Sequence, residues 1–161
     1  MKGAELDEIA AVYRRRFQAF LSLATAIAGD ADEALDAVQD AFATAVRKRR
    51  RYRGDAPLEA WLWSIVLNSA RDRRRRRRER EPLVATAEPA VSTNGHAADA
   101  AVRALLATLP ERQRETIFLR YYADLDYATI ARLLEVSEGT VGATLNAARA
   151  ALRERLEALR T

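Results

Sequence analysis

Arginine has the most chemistry to offer in this 161-residue chain, and it is bunched. The stretches "RKRRRYR" (47–53) and "RDRRRRRRER" (71–80) hold 14 of the 27 Lys and Arg residues. The planar guanidinium pairs two-toothed with phosphate or guanine and stacks on exposed bases, so these runs point to nucleic acid. Two other readings stand beside that one: a solvated helix end, and a polybasic lipid-binding segment, for which no acylation signal or membrane helix is at hand. Opposite in sign, Asp36 and Asp40 fall one helical turn apart with Gln39 between them. That face offers two carboxylates and an amide to a partner, or simply keeps a helix soluble. With no Cys and a single His, His96, disulfides, thiolate zinc and Cys or Ser-His nucleophiles have almost nothing to build on. His96 reads as an idle solvent residue. The acids lie on surface helices without a convergent metal-binding spacing, which counts against a carboxylate-dependent nuclease. The expectation is a protein that is not an enzyme and holds no metal or cofactor.

The formal net charge of +4 is modest, but its distribution is uneven. Residues 1–80 carry +6, residues 81–100 carry −3 and residues 101–161 carry +1. The cationic surface therefore belongs to the first half. The longest apolar run, "AWLWSIVL", is broken by Ser64 and falls far short of the ~20 residues that span a bilayer. The polar N-terminus, "MKGAELDEIAAVYRRRF", is unlike a secretion signal. No membrane span and a cytoplasmic location are expected.

The elements that must position these groups are all helical. A first helix is expected over Leu6 to Ala28, ended by Gly29 and Asp30, with Asp30 also able to cap the next. From Asp32 to Arg50, Leu35, Val38, Phe42, Ala45 and Val46 recur at helical spacing as a buried stripe. "YRGDAP" (52–57) is loop chemistry, with Pro57 in the first turn of the helix that follows. There Leu58, Trp61, Leu62, Ile65 and Val66 form an apolar stripe that places Trp61 in the core. Trp63 lies off that stripe, on a face continuing through Leu67, Arg71, Arg74 and Arg78. Two readings of it stay open: a ring that stacks on bases beside a basic track, or padding for a helix contact.

Residues 81–100 have two Pro, an Asn-Gly pair and no Lys or Arg, and read as a flexible linker able to stretch across ~65 Å at ~3.3–3.6 Å per residue. Beyond it, "AVRALLATLPERQRETIFLRYYADL" reads as two helices with Pro110 near the start of the second. "DYATIARLL" follows, with Asp126 as N-cap. Ser137 caps a last helix whose apolar stripe is Val141, Leu145, Ala148, Leu152, Leu156 and Leu159. Helix, short turn and helix, with small Ala131 at the crossing, is the helix-turn-helix pattern. The fold class expected is all-α: two small helical domains, 1–80 and 101–161, joined by the linker, the second a helix-turn-helix.

Three stretches in order carry a resemblance: "DAVQDAF" (36–42), "YRGDAPLEAWLWSIVLNSARDRRRR" (52–76) and "LPERQRETIFLRYYADLDYATIARLLEVSEGTVGATLNAARAAL" (109–152). Together they resemble the small RNA polymerase sigma factors of the extracytoplasmic-function type, over both halves and failing only in the linker and extreme termini. The resemblance implies a bacterial transcription initiation factor that binds the polymerase core, through its clamp helices and flap, and directs it to promoters. Region two, 1–80, would recognise and help melt the minus-ten element; region four, 101–161, would read the minus-thirty-five element as duplex.

By that likeness Asp36, Gln39, Asp40 and Phe42 match the motif that grips the clamp helices. Tyr52, Arg53 and Asp55 fall in the loop that captures an unstacked promoter base. Asn68, Arg71, Arg74, Arg75 and Arg78 match the promoter-facing helix, with Trp63 as the candidate stacking ring. Arg132, Ser137, Thr140, Thr144, Asn146 and Arg149 make up the duplex-facing set of region four. An anti-sigma factor is a possible further partner.

Two departures fall in region four. The family usually has Gly in the turn, where this chain has Glu135, at a cost on the order of 1 kcal/mol if φ is positive. Its recognition helix commonly runs Lys-Ser-Arg-Leu-His-Arg, where this chain has Gly142, Ala143, Thr144, Leu145, Asn146 and Ala147. Three or four cationic or polar contacts are missing, so this domain is expected to bind duplex weakly alone. Asn146 remains to pair with an adenine, and Arg149 and Arg132 remain for phosphates. The rival readings are a stand-alone dimeric helix-turn-helix regulator that needs no polymerase, and an arginine-rich RNA-binding or protein-sequestering module.

Overall fold

A computed structural model describes residues 3–80 and 97–161. The chain divides into two compact units, Met1–Ala87 and Glu88–Thr161, all of whose described elements are helical. The first contains α1 (Leu6–Ala28), α2 (Ala31–Lys48), a 3-10 turn (Arg49–Arg51) and α3 (Leu58–Arg80). The second contains α4 (Ala97–Ala107), α5 (Glu111–Ile117), a π-helical turn (Phe118–Tyr122), α6 (Tyr127–Leu134) and α7 (Glu138–Arg160). Of the expected linker, residues 81–96, and with them His96, lie outside the described residues. Residues 97–100, also assigned to it, are instead the first turn of α4.

Local chemistry sets the element ends in the first unit. Gly29 stops α1 in the left-handed conformation, φ 77°, with its amide donating to the Thr25 carbonyl at 2.9 Å. Asp30 then caps α2, its carboxylate accepting from the amides of Asp32 (2.8 Å) and Glu33 (3.0 Å). With only these two residues between them, α1 and α2 must fold back on each other. Pro57 stands just before α3, its carbonyl accepting from the Trp61 amide at 3.2 Å.

Each of the three helices packs on the other two, which widens their buried faces beyond single stripes. On α2 the core residues are Ala34, Ala37, Val38, Ala41, Phe42 and Ala45; Leu35 and Val46, expected in the stripe, are exposed. The alanines let α2 approach both neighbours closely and push the two larger side chains to the rim. On α3 the tryptophans exchange roles. Trp63 is fully buried, its ring centroid 4.2 Å from that of Phe20 and its Nε1 donating to Glu59 at 3.4 Å, whereas Trp61 is half-buried. The periodicity placed Trp61 inward by assuming one contact face; α3 has two.

In the second unit, Leu106, Leu109, Ile117, Phe118, Leu119, Ile130, Leu134, Val141, Leu145 and Ala148 form the core. The stripe expected along α7 is buried only in its first half: Leu152 is half-buried, Leu156 exposed and Leu159 78% exposed. Asp126 caps α6 by accepting from the Thr129 amide at 2.8 Å, and Ser137 caps α7 by accepting from the Thr140 amide at 3.1 Å. Between them Glu135 is left-handed, φ 56°, while the Val136 amide donates to the Ala131 carbonyl at 3.0 Å. The turn therefore has the glycine-type geometry, carried by a residue with a Cβ.

Glu135→Gly is expected to stabilise the second unit by roughly 0.5–1 kcal/mol, since relief of left-handed strain exceeds the added unfolded-chain entropy. Hydrogen exchange at the buried Leu145 amide should slow; equal or faster exchange would show that the Glu135 side chain offsets the strain. Asp126 supplies a pH dependence. Hydrogen bonding by Thr129 holds its carboxyl below the ordinary carboxylate range. A depressed folded pKa means the cap stabilises α6 above the unfolded pKa and is lost as pH falls through the folded one. Exchange of the α6 amides should therefore accelerate as pH drops below about 4, after correction for intrinsic rates. Asp126→Asn, which still caps, should flatten that profile.

Candidate nucleic-acid and polymerase interfaces

The α2 face carries its acids as expected. Asp36 and Asp40 side chains are 58% and 60% exposed, and Gln39 is exposed beside them. Phe42 differs: it is buried, edge-on to Tyr13 and Phe20, with centroids 4.7 and 5.2 Å away. As a core side chain it cannot itself touch a partner on this face; it anchors the helix that presents the acids.

Those acids already have a basic neighbour. Arg73 of α3 reaches across so that Nη1 lies 3.1 Å from Glu33 and 3.5 Å from Asp36, while Nη2 lies 2.5 Å from Asp40. Arg80 adds a contact to Glu33 at 3.4 Å. The hydrogen bond with Asp40 raises the Arg73 pKa most, against the opposing effect of burial, so the guanidinium stays charged. A guanidinium, and no metal cluster among the described residues, fills the space between these carboxylates.

The arginines of α3 thus divide by helical phase. Arg73 faces α2, and Arg77 donates to the Ala28 carbonyl at the end of α1 at 3.3 Å. Arg75 and Arg76 are exposed and pair with Asp72 at 2.6 and 3.4 Å. Arg78 is exposed, and Arg71 and Arg74 are half-buried; Asn68 is exposed one turn before Arg71. The signal for Arg73 was present in the sequence: Val66, Ala70, Arg73 and Arg77 continue one stripe at three- and four-residue steps, and its first two members are apolar.

The burial of Trp63 removes it as a stacking ring, since a base would have to displace the Phe20 contact. The aromatic surface beside the basic residues is instead formed by Tyr52 and Trp61, both half-buried, with ring centroids 5.4 Å apart. The Tyr52 hydroxyl donates to the Ala56 carbonyl at 2.5 Å, closing a loop in which Arg53 and Asp55 are exposed around left-handed Gly54, φ 79°. Gly3 and Ala4 pack against the turn that leads into this loop. The Ala4 amide donates to the Arg49 carbonyl at 2.9 Å, and a Cβ on Gly3 would stand 2.7 Å from the Arg50 Cα.

In the second unit the exposed face of α7 is as bare as its sequence. No Lys or Arg occurs between Arg132 and Arg149, both of which are exposed. Ser137 and Thr140 are exposed but bonded to each other, 2.9 Å between hydroxyls. Thr144 is half-buried and Asn146 exposed. Gly142 faces Tyr127 with room for a methyl, since an added Cβ would meet the ring at 3.6 Å. Sequence reasoning missed Tyr121: it projects from the π-helical turn onto α7, where its hydroxyl accepts from Arg149 Nε at 2.9 Å and also from Nη2. The irregular turn that aims it leaves no periodic signal.

No described helix is long and apolar enough to cross a membrane. Residues 12–80 match the family of sigma-70 region 2, and residues 99–152 match that of sigma-70 region 4. Among curated relatives, the chain is 34% identical over 152 residues to the ECF RNA polymerase sigma factor SigM of Mycobacterium tuberculosis, covering 93% of this chain and 78% of that one. It is 31% identical over 156 residues to the RNA polymerase sigma-H factor of Pseudomonas aeruginosa, covering 86% and 81%. Among solved structures, CnrH in complex with the cytosolic domain of CnrY aligns with a TM-score of 0.73 at 26% identity, covering 96% and 91%. The sigma factor RpoE of Bartonella quintana, solved with the anti-sigma factor NepR, shares the fold with a TM-score of 0.81 at 22% identity, covering 94% and 98%. Two regional matches in order, with relatives that align across both units, show that the chain belongs to the sigma-70 family, among its extracytoplasmic-function members.

Proposed function

We propose that this protein is a transcription initiation factor that joins core RNA polymerase and commits it to a promoter, without itself being an enzyme. The observation that carries this is the pairing, within one three-helix unit, of an exposed acidic face on α2 and an arginine-rich helix α3. Asp36, Gln39 and Asp40 present charge to basic side chains of the polymerase clamp helices, with Phe42 anchoring their helix from within. Tyr52, Trp61, Arg53 and Asp55 surround the point where an unstacked base is held, and Asn68, Arg71, Arg74, Arg75 and Arg78 follow the separated strand. Cations beside aromatic rings favour single strands over duplex, which is how strand separation is supported without ATP.

The second unit supplies a weaker duplex contact at the minus-thirty-five element, through Arg132, Ser137, Thr140, Thr144, Asn146 and Arg149. Its bare helix depends on the first unit and on the polymerase flap for effective concentration. Residues 81–100 join the domains 1–80 and 101–161, α4 starting inside that join. The two structural relatives were each solved with a partner, one named an anti-sigma factor. An anti-sigma factor therefore fits as a third partner here, and all of these partners meet in the cytoplasm. The comparisons favour this reading over a stand-alone dimeric regulator, since the relatives across both units are sigma factors.

In vitro transcription with core polymerase on a promoter library tests the proposal: initiation should start at defined sites only when the protein is added. Absence of promoter-specific initiation with any core would overturn it. In the same assay, replacing Asp36 and Asp40 by Asn should raise the protein concentration needed for half-maximal activity by about 3- to 30-fold, the worth of two partly exposed charge contacts. Arg78→Gln should leave core binding unchanged. It should lower the salt slope of promoter-complex formation by ~0.7–0.9, one phosphate contact, in a filter-binding titration.

A further inference from the structure

Along the exposed side of α7 the first cation is Arg149, and its guanidinium is held before any partner arrives. Nε donates to the Tyr121 hydroxyl at 2.9 Å, Nη2 donates to the same oxygen, and Nη1 lies 3.5 Å from Asn146 Oδ1. The guanidinium carbon sits 5.7 Å from the Tyr121 ring centroid, within cation–π range. Tyr121 is itself 54% exposed, so it is not there to fill the core. It stands in the π-helical turn Phe118–Tyr122, where the Ala123 amide reaches back to the Phe118 carbonyl at 3.0 Å. Turns of this kind insert one extra residue into a helix, and they recur at functional sites because they re-aim a side chain.

We infer that Tyr121 is a positioning residue for duplex contact, holding Arg149 with its free edge presented to a DNA backbone phosphate. Arginine has five N–H donors. The Tyr121 oxygen takes the Nε and one Nη2 hydrogen, Asn146 takes one from Nη1, and Tyr127 is a further hydrogen-bond partner, which leaves a terminal N–H to donate to a phosphate oxygen. The Tyr121 hydroxyl hydrogen is left to donate to the same phosphate. On a helix with no other cation in its first three turns, a fixed guanidinium replaces several mobile ones, because ordering a long side chain in advance removes that cost from binding. This inference rests on the proposed duplex-facing role of α7.

The test uses the full chain in holoenzyme with core RNA polymerase, on a promoter from which it initiates and on the same template cut off downstream of the minus-thirty-five element. Arg149→Gln should weaken complex formation on the full template and lower its salt slope by ~0.9. Tyr121→Phe, which keeps the ring and removes the accepting oxygen, should weaken it by about three- to tenfold with the slope unchanged, since the charge stays but is no longer ordered. In the Arg149→Gln background Tyr121→Phe should add nothing, and on the shortened template all variants should match the parent. If Arg149→Gln lowers the slope while Tyr121→Phe binds like the parent, the positioning role is overturned and the duplex-facing role stands. A full effect of Tyr121→Phe in the Arg149→Gln background also overturns it. If shortening the template costs the parent nothing, the duplex-facing role itself fails, and this inference with it. Tyr121 and Arg149 are both exposed, and matching hydrogen exchange at the Leu145 amide shows that the variants fold alike.

Discussion

Arg73 lies among three carboxylates of the neighbouring helix, and the distribution of positive charge over the first unit follows from that contact. Eight arginines in ten residues would repel one another along a lone helix. Here the repulsion is relieved by direction. Arg73 and Arg80 meet α2 acids, Arg77 meets the carbonyl end of α1, and Arg75 and Arg76 share Asp72. The remaining positions can then carry positive charge on a different face of the helix. Individually these partly exposed pairs are worth little, about 0–1 kcal/mol, but together they orient the cations that stay exposed. They also make the acidic face of α2 less negative than its sequence suggests, so any basic partner meets carboxylates already partly neutralised.

The two units place their charge differently. In the first, cations crowd one helix and are sorted by neutralisation. In the second, the exposed part of α7 ahead of Arg149 carries a single charge, Glu138, and Arg149 is held there by Asn146 and Tyr121. Small residues at Gly142, Ala143 and Ala147 lower the side-chain bulk, which allows close approach of the helix backbone to a groove. Close approach without cations gives little affinity at a distance, because the long-range part of DNA binding is electrostatic. A domain of this kind gains from being tethered to one that already holds the target.

Much of this was legible in the residues. α1 occupies Leu6–Ala28 as the apolar spacing and Gly29 imply, and Asp30, Asp126 and Ser137 each cap a helix because a short oxygen-bearing side chain reaches the free amides of the first turn. The left-handed geometry at Glu135 follows from the shortness of the turn. Less legible were the positions governed by how many neighbours a helix has. Trp61 and Trp63 exchanged roles because α3 is buried on two sides, and Leu35 and Val46 came out because alanines already lined the tight contact. Leu156 and Leu159 stayed outside because, among the described residues, no other element covers the second half of α7.

By itself, then, the sequence determined the helices, their caps, the two-unit layout and the family, since all of these depend on local spacing and on residue order. Tertiary structure alone decided which arginines remain exposed, which tryptophan is core, and that Tyr121 meets Arg149. Each of those outcomes depends on a side chain from a different element arriving within a few ångströms, a distance that no periodicity along one helix encodes.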